Sequence, residues 1–515
     1  MAQNLSEPAD LIAPAAHADP YFSTQRLKSG LGARTARGGA VTVASQGFKF
    51  VAGMAATVVL ARLLTPEDYG LIGMVAVVTG FVSLFKDLGL SAATVQREEI
   101  TPAQVSTLFW VNVGLSVGVG LLTAAISPAV AWFYGEPRLR AVTAAYAFGF
   151  LVGGLTVQHE ALLRRQMRFV ALAASEIIAL LASIAATVAL AWRGAGYWAL
   201  VGGHLTLGFV YMACVWVACG WRPGAPVRYA GVRPMLRFGG NLTGFGVINY
   251  FARNLDNLLV GRVWGSIQLG LYAKAYQLLL LPIDQINSPI TSVAVPALSR
   301  LAGEPERYRQ SYLRLLEKVA LLTMPLVAFM IGTSDWVVRV VLGPQWSGAA
   351  WIFTLLGVAG LVQPLANTVG WLFITQGRTR EMFQWGIIGG SILIAAIVAG
   401  VPWGAVGVAA SYSTTFICVV LPLLFWYVGR RGPVRARDFY RTTAPVAFAS
   451  LGALASVLAL RRAAHFERPL VGLAVSFVLS VAVVLLLLLA TRRGRAALAD
   501  VRQTFRMLTR RRDAE

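Results

Sequence analysis

Charge is scarce in this 515-residue chain: Asp, Glu, Lys and Arg supply 13% of it, whereas 57% is hydrophobic. Soluble domains carry about twice that charge, so a water-soluble enzyme is disfavoured from the outset. Acids are scarcer than bases, 23 against 45, for a net charge of +22. In a soluble chain that excess would suggest nucleic acid, but the placement of the bases points to a membrane. The three cysteines, Cys214, Cys219 and Cys418, lie in apolar runs without a C-x-x-C pair or a histidine at ligand spacing, and read as small buried hydrophobes. A nucleotide-binding G-x-x-x-x-G-K-[ST] loop, an H-E-x-x-H helix and a long polar insertion are all missing from the sequence, so no cofactor is expected. The first 36 residues are polar, with Pro8, Pro14 and Pro20 and no apolar signal-peptide core, and are expected to stay in the cytoplasm.

Long apolar runs are abundant. A hydrocarbon core of about 30 Å needs about 20 residues of helix, since every backbone polar group must be satisfied internally. Fourteen stretches qualify, near 40–61, 70–94, 105–128, 139–161, 170–192, 196–220, 236–262, 267–297, 315–334, 349–375, 382–401, 404–428, 442–460 and 469–490. With the N-terminus inside, 32 of the 45 Lys and Arg fall in cytoplasmic segments, nine in external loops and four within spans. That asymmetry is the positive-inside pattern and places both termini in the cytoplasm. The terminal run Arg492, Arg493, Arg495, Arg502, Arg506 and Arg510–Arg512 reads either as an amphipathic helix on anionic lipid or as a basic terminus without fixed structure.

The sequence also repeats itself. A shift of 200 residues lays Arg37 over Arg237, Gly39 over Gly239, Arg62 over Arg262, Gly70 over Gly270 and Leu71 over Leu271, so LARLLTPEDYGL (60–71) matches VGRVWGSIQLGL (260–271). Further on the offset drifts: QMR (166–168) matches QGR (376–378), and GYWALVGG (196–203) echoes GAVGVAAS (404–411). An even number of spans separates the copies, so they share one orientation about an axis along the membrane normal. The expected fold is an all-α integral membrane protein: an arm (1–37), a six-helix lobe (38–220), a linker (221–235), a second six-helix lobe (236–428), two further helices (429–490) and a basic tail (491–515).

The strings KDLGLSAATVQR (86–97), RFGGNLTGF (237–245), NLDNLLVGRVWGSIQLGLYAKAYQLLLLP (254–282) and VPALSRL (295–301) follow one another in an order that resembles the Wzx-type lipid-linked oligosaccharide flippases. These belong to the multidrug/oligosaccharidyl-lipid/polysaccharide exporter superfamily, and the resemblance covers roughly residues 35–430. It implies two lobes opening a central cavity alternately to each side of a bacterial inner membrane. The cargo it implies is a glycan on a polyprenyl pyrophosphate, with membrane lipids, a glycan polymerase and export machinery as further partners and no nucleic acid. A cation-coupled drug exporter and a membrane-embedded glycan polymerase or glycosyltransferase are the rival readings.

Ionisable groups inside membrane helices are costly and usually face a cavity or a partner. Lys49, Lys86, Arg253, Lys274, Asp87, Glu176, Asp256 and Asp284 fall within spans, and only Glu176 lies outside the four matched ones. Lys49, Arg253 and Lys274 are the candidates for holding an anionic cargo, with Asn254, Asn257, Tyr276 and Gln277, beside Asn249, Tyr250 and Tyr272, offering groups that suit sugars. Arg253 and Asp256, three positions apart on one helix, can instead pair with each other. Asp256 and Asp284 are candidate coupling carboxylates, Lys86 and Asp87 candidate gating or anchoring groups, and Arg164, with His159, Glu160 and Arg165, a candidate gate or an interfacial cluster. His204 reads as a packing histidine. Pro282, Pro289, Pro296 and Pro364 are expected to kink their helices, and Gly149/Gly153, Gly240/Gly244 and Gly386/Gly390 to let helices approach.

Overall fold

The computed structural model describes residues 31–87, 91, 94, 95, 97, 100–227, 233–496 and 498–500, without the side chains of 31–37, 86, 87, 233–249 and 251–253. Its helices are α1 Leu31–Leu63, α2 Pro66–Asp87, α3 Pro102–Tyr134, α4 Arg138–Arg165, α5 Phe169–Trp192, α6 Tyr197–Cys219, α7 Arg233–Arg300 and α8 Pro305–Gly332. The second series is α9 Ser334–Val341, α10 Ala349–Gly360, α11 Gln363–Thr375, α12 Thr379–Gly400, α13 Gly404–Thr415, α14 Leu421–Gly429, α15 Ala436–Ala463 and α16 Pro469–Ala490. Among the described residues there is no strand.

Local chemistry sets several boundaries. Two Thr-Pro pairs start α2 and α3, each with threonine as cap and proline in the first helical position, where its missing N–H costs nothing. Thr65 Oγ1 accepts from the Asp68 N–H (3.2 Å) while Asp68 accepts from the Thr65 N–H (2.9 Å), and Thr101 and Gln104 make the same reciprocal pair at 3.3 and 3.1 Å. Gly220 ends α6 in the left-handed region (φ 70°).

Among the described residues twelve helical stretches are long and apolar enough to cross a bilayer, and two of them, 254–300 with 47 residues and 379–429 with 51, far exceed one crossing. Each is broken at a glycine whose backbone other residues rarely adopt: Gly265 (φ 78°, ψ −174°) in α7 and Gly404 (φ 73°, ψ −164°) between α12 and α13. Large exposed tryptophans, Trp132, Trp192, Trp264 and Trp403, stand at helix ends opposite the arginine-rich loops, where an aromatic belt would meet lipid headgroups.

The chain divides into two compact units. The first runs up to Ala56 and adds Val78–Ala131 and Pro137–Tyr250; the second holds Thr57–Val77, Trp132–Glu136 and the chain from Phe251. In the first, Phe109 meets His159, Trp216 and Trp221 edge-on at 5.8, 6.1 and 6.1 Å. Beside this core Thr94 donates to Gln158 (2.9 Å), which donates to Asn112 (2.8 Å), and Arg165 donates to the Thr94 and Arg97 carbonyls. The end of the KDLGLSAATVQR string is thereby tied to α4. In the second unit Phe425 stacks on Phe439 at 4.3 Å, and the buried hydroxyls of Tyr308 and Tyr312 reach Thr375 (2.6 Å) and Thr368 (2.8 Å). These bonds remove the penalty of burying a phenol.

Some expectations need correction. Only Cys219 is buried; Cys214 is half-buried, and Cys418 is exposed on the π-helical segment Phe416–Val420. The backbone stays helical at Pro282, Pro289 and Pro296, and Gly265 alone departs within α7. Pro364 instead opens α11 after a break at Leu361–Val362. A Cβ on Gly386 or Gly390 would meet nothing within 4 Å, so that spacing brings no helix close, while Gly149 lies beside His204. Gly240 and Gly244 lie outside the described side chains.

Two pairs of matched strings share backbone dihedrals. QMR and QGR both place their middle residue at positive φ, Met167 at 55° and Gly377 at 69°. Gly196 and Gly404, first in their matched strings, have φ of 55° and 73°. Among the described residues Met167 is the only non-glycine at positive φ, which costs a side chain about 1–2 kcal/mol. Met167→Gly is therefore expected to stabilise the protein by about 0.5–1 kcal/mol after glycine's larger unfolded-state entropy is subtracted. Thermal unfolding in detergent checks this, and a lower melting temperature would refute it.

Candidate functional site

Residues from both copies meet within the second unit, at the end of the helices opposite the arginine-rich loops. A Cβ on Gly70 would lie 1.7 Å from the Ser266 carbonyl oxygen, and one on Gly270 1.8 Å from the Pro66 carbonyl oxygen. Pro66 and Ser266 are themselves partners in the 200-residue repeat, so the two contacts exchange under it. Such reciprocity is the signature of a two-fold interface. Backbone lies against backbone here, as small residues allow in membranes.

Neighbouring contacts extend the pattern. The Ala61 carbonyl, in the last turn of α1 and without a helical donor, accepts from Trp346 Nε1 (2.8 Å) and Gln345 Nε2 (2.6 Å). Its repeat mate Gly261 lies against the Tyr134 ring, 3.0 Å from a Cβ placed there. Arg62 donates to the Val340 carbonyl (3.2 Å), while its mate Arg262 stands over the Phe133 ring at 5.6 Å.

Two buried ionisable candidates, Lys274 and Asp256, lie further along the same helix, α7. Lys274, 9% exposed, puts Nζ over the Tyr69 ring at 3.9 Å and donates to Gln277 Oε1 at 3.0 Å. Tyr69 is held edge-on by Trp346 at 5.4 Å. Lys274 has no ion-pair partner among the described residues. A lone cation in a low-dielectric setting attracts an anion strongly. Asp256, 8% exposed, accepts from the Tyr272 hydroxyl (2.9 Å) and the Asn257 N–H (2.7 Å). The side-chain oxygen of Asn257 is buried with no hydrogen-bond partner among the described residues, and both amide atoms of Asn287 are in the same condition. Tyr276 lies 6.3 Å from Tyr272, ring to ring. Lys274 and Asp256 each lie nine residues from Gly265, on either side of it, which is about 14 Å of helix.

The other candidates are dispersed. Lys49 pairs with Glu176 of α5 inside the first unit, which neutralises it locally. Arg164 pairs with Glu160 one turn away at 2.6 Å, as helix neighbours do. Asp284 is exposed, and Asn254 is half-buried. His204 stacks on Tyr146 at 4.5 Å, and His159 packs against Trp216 at 4.2 Å. The side chains of Arg253, Asn249, Lys86 and Asp87 and the tail beyond residue 500 lie outside the described residues. Sequence reasoning passed over Tyr69 and Asn287. Tyr69 was readable as an aromatic in the matched turn; Asn287 carried no signal but its polarity.

Helices with apolar exteriors, broken at glycines and joined across an internal repeat, define a multi-pass membrane protein of the transporter type. The solved structure of the lipid II flippase MurJ in an inward closed conformation superposes with a TM-score of 0.70, covering 86% of this chain and 97% of that one at 13% identity. An inward-facing multidrug resistance transporter of the MATE family gives 0.56, over 77% and 96% at 15% identity. At such identities the likeness concerns the fold. By sequence, residues 59–351 match the family described as polysaccharide biosynthesis protein, and the chain belongs to that family. It is similar to the lipopolysaccharide biosynthesis protein WzxC of Escherichia coli K12, 28% identical over 383 residues, 73% of this chain and 77% of that protein. It is also similar to the teichuronic acid biosynthesis protein TuaB of Bacillus subtilis 168, 29% identical over 330 residues, 62% and 68% of the two chains.

Proposed function

We propose that this protein is a lipid-linked oligosaccharide flippase of the bacterial inner membrane, moving glycan repeat units on polyprenyl pyrophosphate to the outer leaflet by alternating access. The observation that carries the reading is Lys274, a buried cation over an aromatic ring with no carboxylate partner among the described residues. A pyrophosphate is the counter-charge such a site lacks, and Gln277, Asn257 and Tyr276 offer neighbouring polar and aromatic groups to a sugar. Membership of a polysaccharide biosynthesis family supports the glycan part of the cargo.

In this reading 254–300 and 379–429 each cross twice, which makes fourteen crossings: six in each of two like-oriented lobes (38–220 and 236–428) and two more before a basic tail. The arginine-rich loops and both termini face the cytoplasm, and the seam at Gly70 and Gly270 is the external closure. Arg253 assists with the anion, Asp256 and Asp284 couple transport to an ion gradient, and Lys86, Asp87 and Arg164 act at the inner mouth. No nucleotide takes part.

Reconstitution into vesicles with a leaflet-resolved assay of lipid-linked glycan tests the proposal. The protein is expected to move the glycan lipid between leaflets. Movement of cationic dyes without glycan lipid would instead identify a drug exporter, and lengthening of the glycan would identify an enzyme.

A further inference from the structure

We propose that a basic cavity between α8, α15 and the chain just beyond α16 is a binding site for the phosphate headgroup of an anionic phospholipid. It is separate from the Lys274 region and does not depend on the transport reading. The cavity, about 340 Å³, is lined by Arg309, Arg314, Arg441 and Arg493 with Glu317 and Asp438, and by Leu313, Thr442, Pro445 and Ala496. Four guanidiniums against two carboxylates leave an excess of two positive charges.

The arginines are not equivalent. Arg309 is committed, donating to both oxygens of the buried Asp438 at 3.1 and 2.8 Å. Asp438 is saturated further by the Arg435 N–H (2.9 Å), so this pair forms a fixed, nearly neutral wall. Arg493 is placed by a backbone defect. Pro445 cannot donate to the Arg441 carbonyl four residues earlier, and Arg493 Nη1 supplies that bond at 3.2 Å. Arg314 and Arg441 are exposed and have no ion-pair partner among the described residues. Glu317 is the remaining carboxylate on the wall and is half-buried.

The chain beyond α16 is held in place to complete the cavity. The Gly494 N–H donates to Thr491 Oγ1 (3.0 Å), and a Cβ on Gly494 would lie 2.2 Å from the Leu488 carbonyl, so only glycine permits this turn. Further on, Asp500 pairs with Lys318 at 3.0 Å, and Leu498 packs on the apolar core. The result is a preformed cleft at the arginine-rich ends of membrane-crossing helices, lined by the guanidiniums of Arg314 and Arg441, unpaired among the described residues, and by apolar side chains. Arginine forks bind phosphate oxygens in pairs. Basic pockets between helices suit lipid headgroups, and the apolar lining residues Leu313, Pro445 and Ala496 give the glycerol end of the lipid a contact that free phosphate would not use.

Native mass spectrometry of the full-length protein in detergent tests this, with phosphatidylglycerol, phosphatidylcholine and inorganic phosphate as probes. Phosphatidylglycerol is expected to be retained over phosphatidylcholine. The double variant R314Q/R441Q, which leaves the Arg309–Asp438 pair intact, is expected to retain it roughly thirtyfold less well. Equal retention of the two lipids, or undiminished retention by the double variant, would overturn the proposal. Displacement by inorganic phosphate would place the ligand in solution and overturn the lipid assignment. On the unmodified chain, a photoreactive phosphatidylglycerol is expected to label residues 309–317 or 441–445. Labelling confined to other segments would refute the site even if the variant failed to fold.

Discussion

Alanine at Gly70 is expected to abolish glycan export, because its methyl group would stand 1.7 Å from the Ser266 carbonyl oxygen. Backbone on the far side cannot rotate away as a side chain can, so the clash falls at the upper end of overpacking costs, about 3 kcal/mol. That lowers the population of the closed seam on the order of a hundredfold. Gly270→Ala, at 1.8 Å from the Pro66 carbonyl, is expected to do the same to the same extent. The equality is the informative part, since only a reciprocal interface makes two positions 200 residues apart interchangeable. Nitroxide labels at Glu67 and Ile267 would report the closed fraction as a short distance that both variants lose. Without the seam the sign reverses, since glycine to alanine inside a helix stabilises by about 1 kcal/mol. Variants that are more stable and still export would remove the seam from the mechanism.

The second large effect is expected at Lys274. Methionine there keeps most of the volume and loses the charge over Tyr69 and the bond to Gln277. An apolar replacement for a buried ion is neutral or stabilising for folding, whereas a bound anion deprived of its cation loses about 3–5 kcal/mol. Lys274→Met is therefore expected to insert and melt at or above the wild-type temperature while binding polyprenyl pyrophosphate on the order of a thousandfold more weakly. Lys274→Arg is expected to recover part of that affinity. Lipid-binding titrations beside thermal unfolding separate the two effects, and a methionine variant that binds like the wild type would end the role assigned to Lys274.

Much of this was readable before any coordinates. Hydropathy located the helices because the bilayer enforces one length and one composition. The 200-residue offset marked Gly70 and Gly270 as matched positions, but not that each would lie against the other copy's backbone. Partners chosen by tertiary packing were not readable. Nothing local indicates that Lys49 would find Glu176, 127 positions away, while Lys274 would find a tyrosine ring. Asp256 turned to Tyr272, a bond that depends on how the two arms of α7 lie beside one another across Gly265. Periodicity fixes which face a residue is on, and leaves open what the opposite face presents.

The broken stretches bear on how loss-of-function data should be interpreted. Gly196, Gly265 and Gly404 share dihedrals that side chains rarely adopt, yet none carries a group that could touch a cargo. In a saturation screen scored by surface polysaccharide alone, all three would rank as intolerant as any ligand-contacting position. Scoring steady-state protein abundance in parallel would separate failures of biogenesis from failures of recognition.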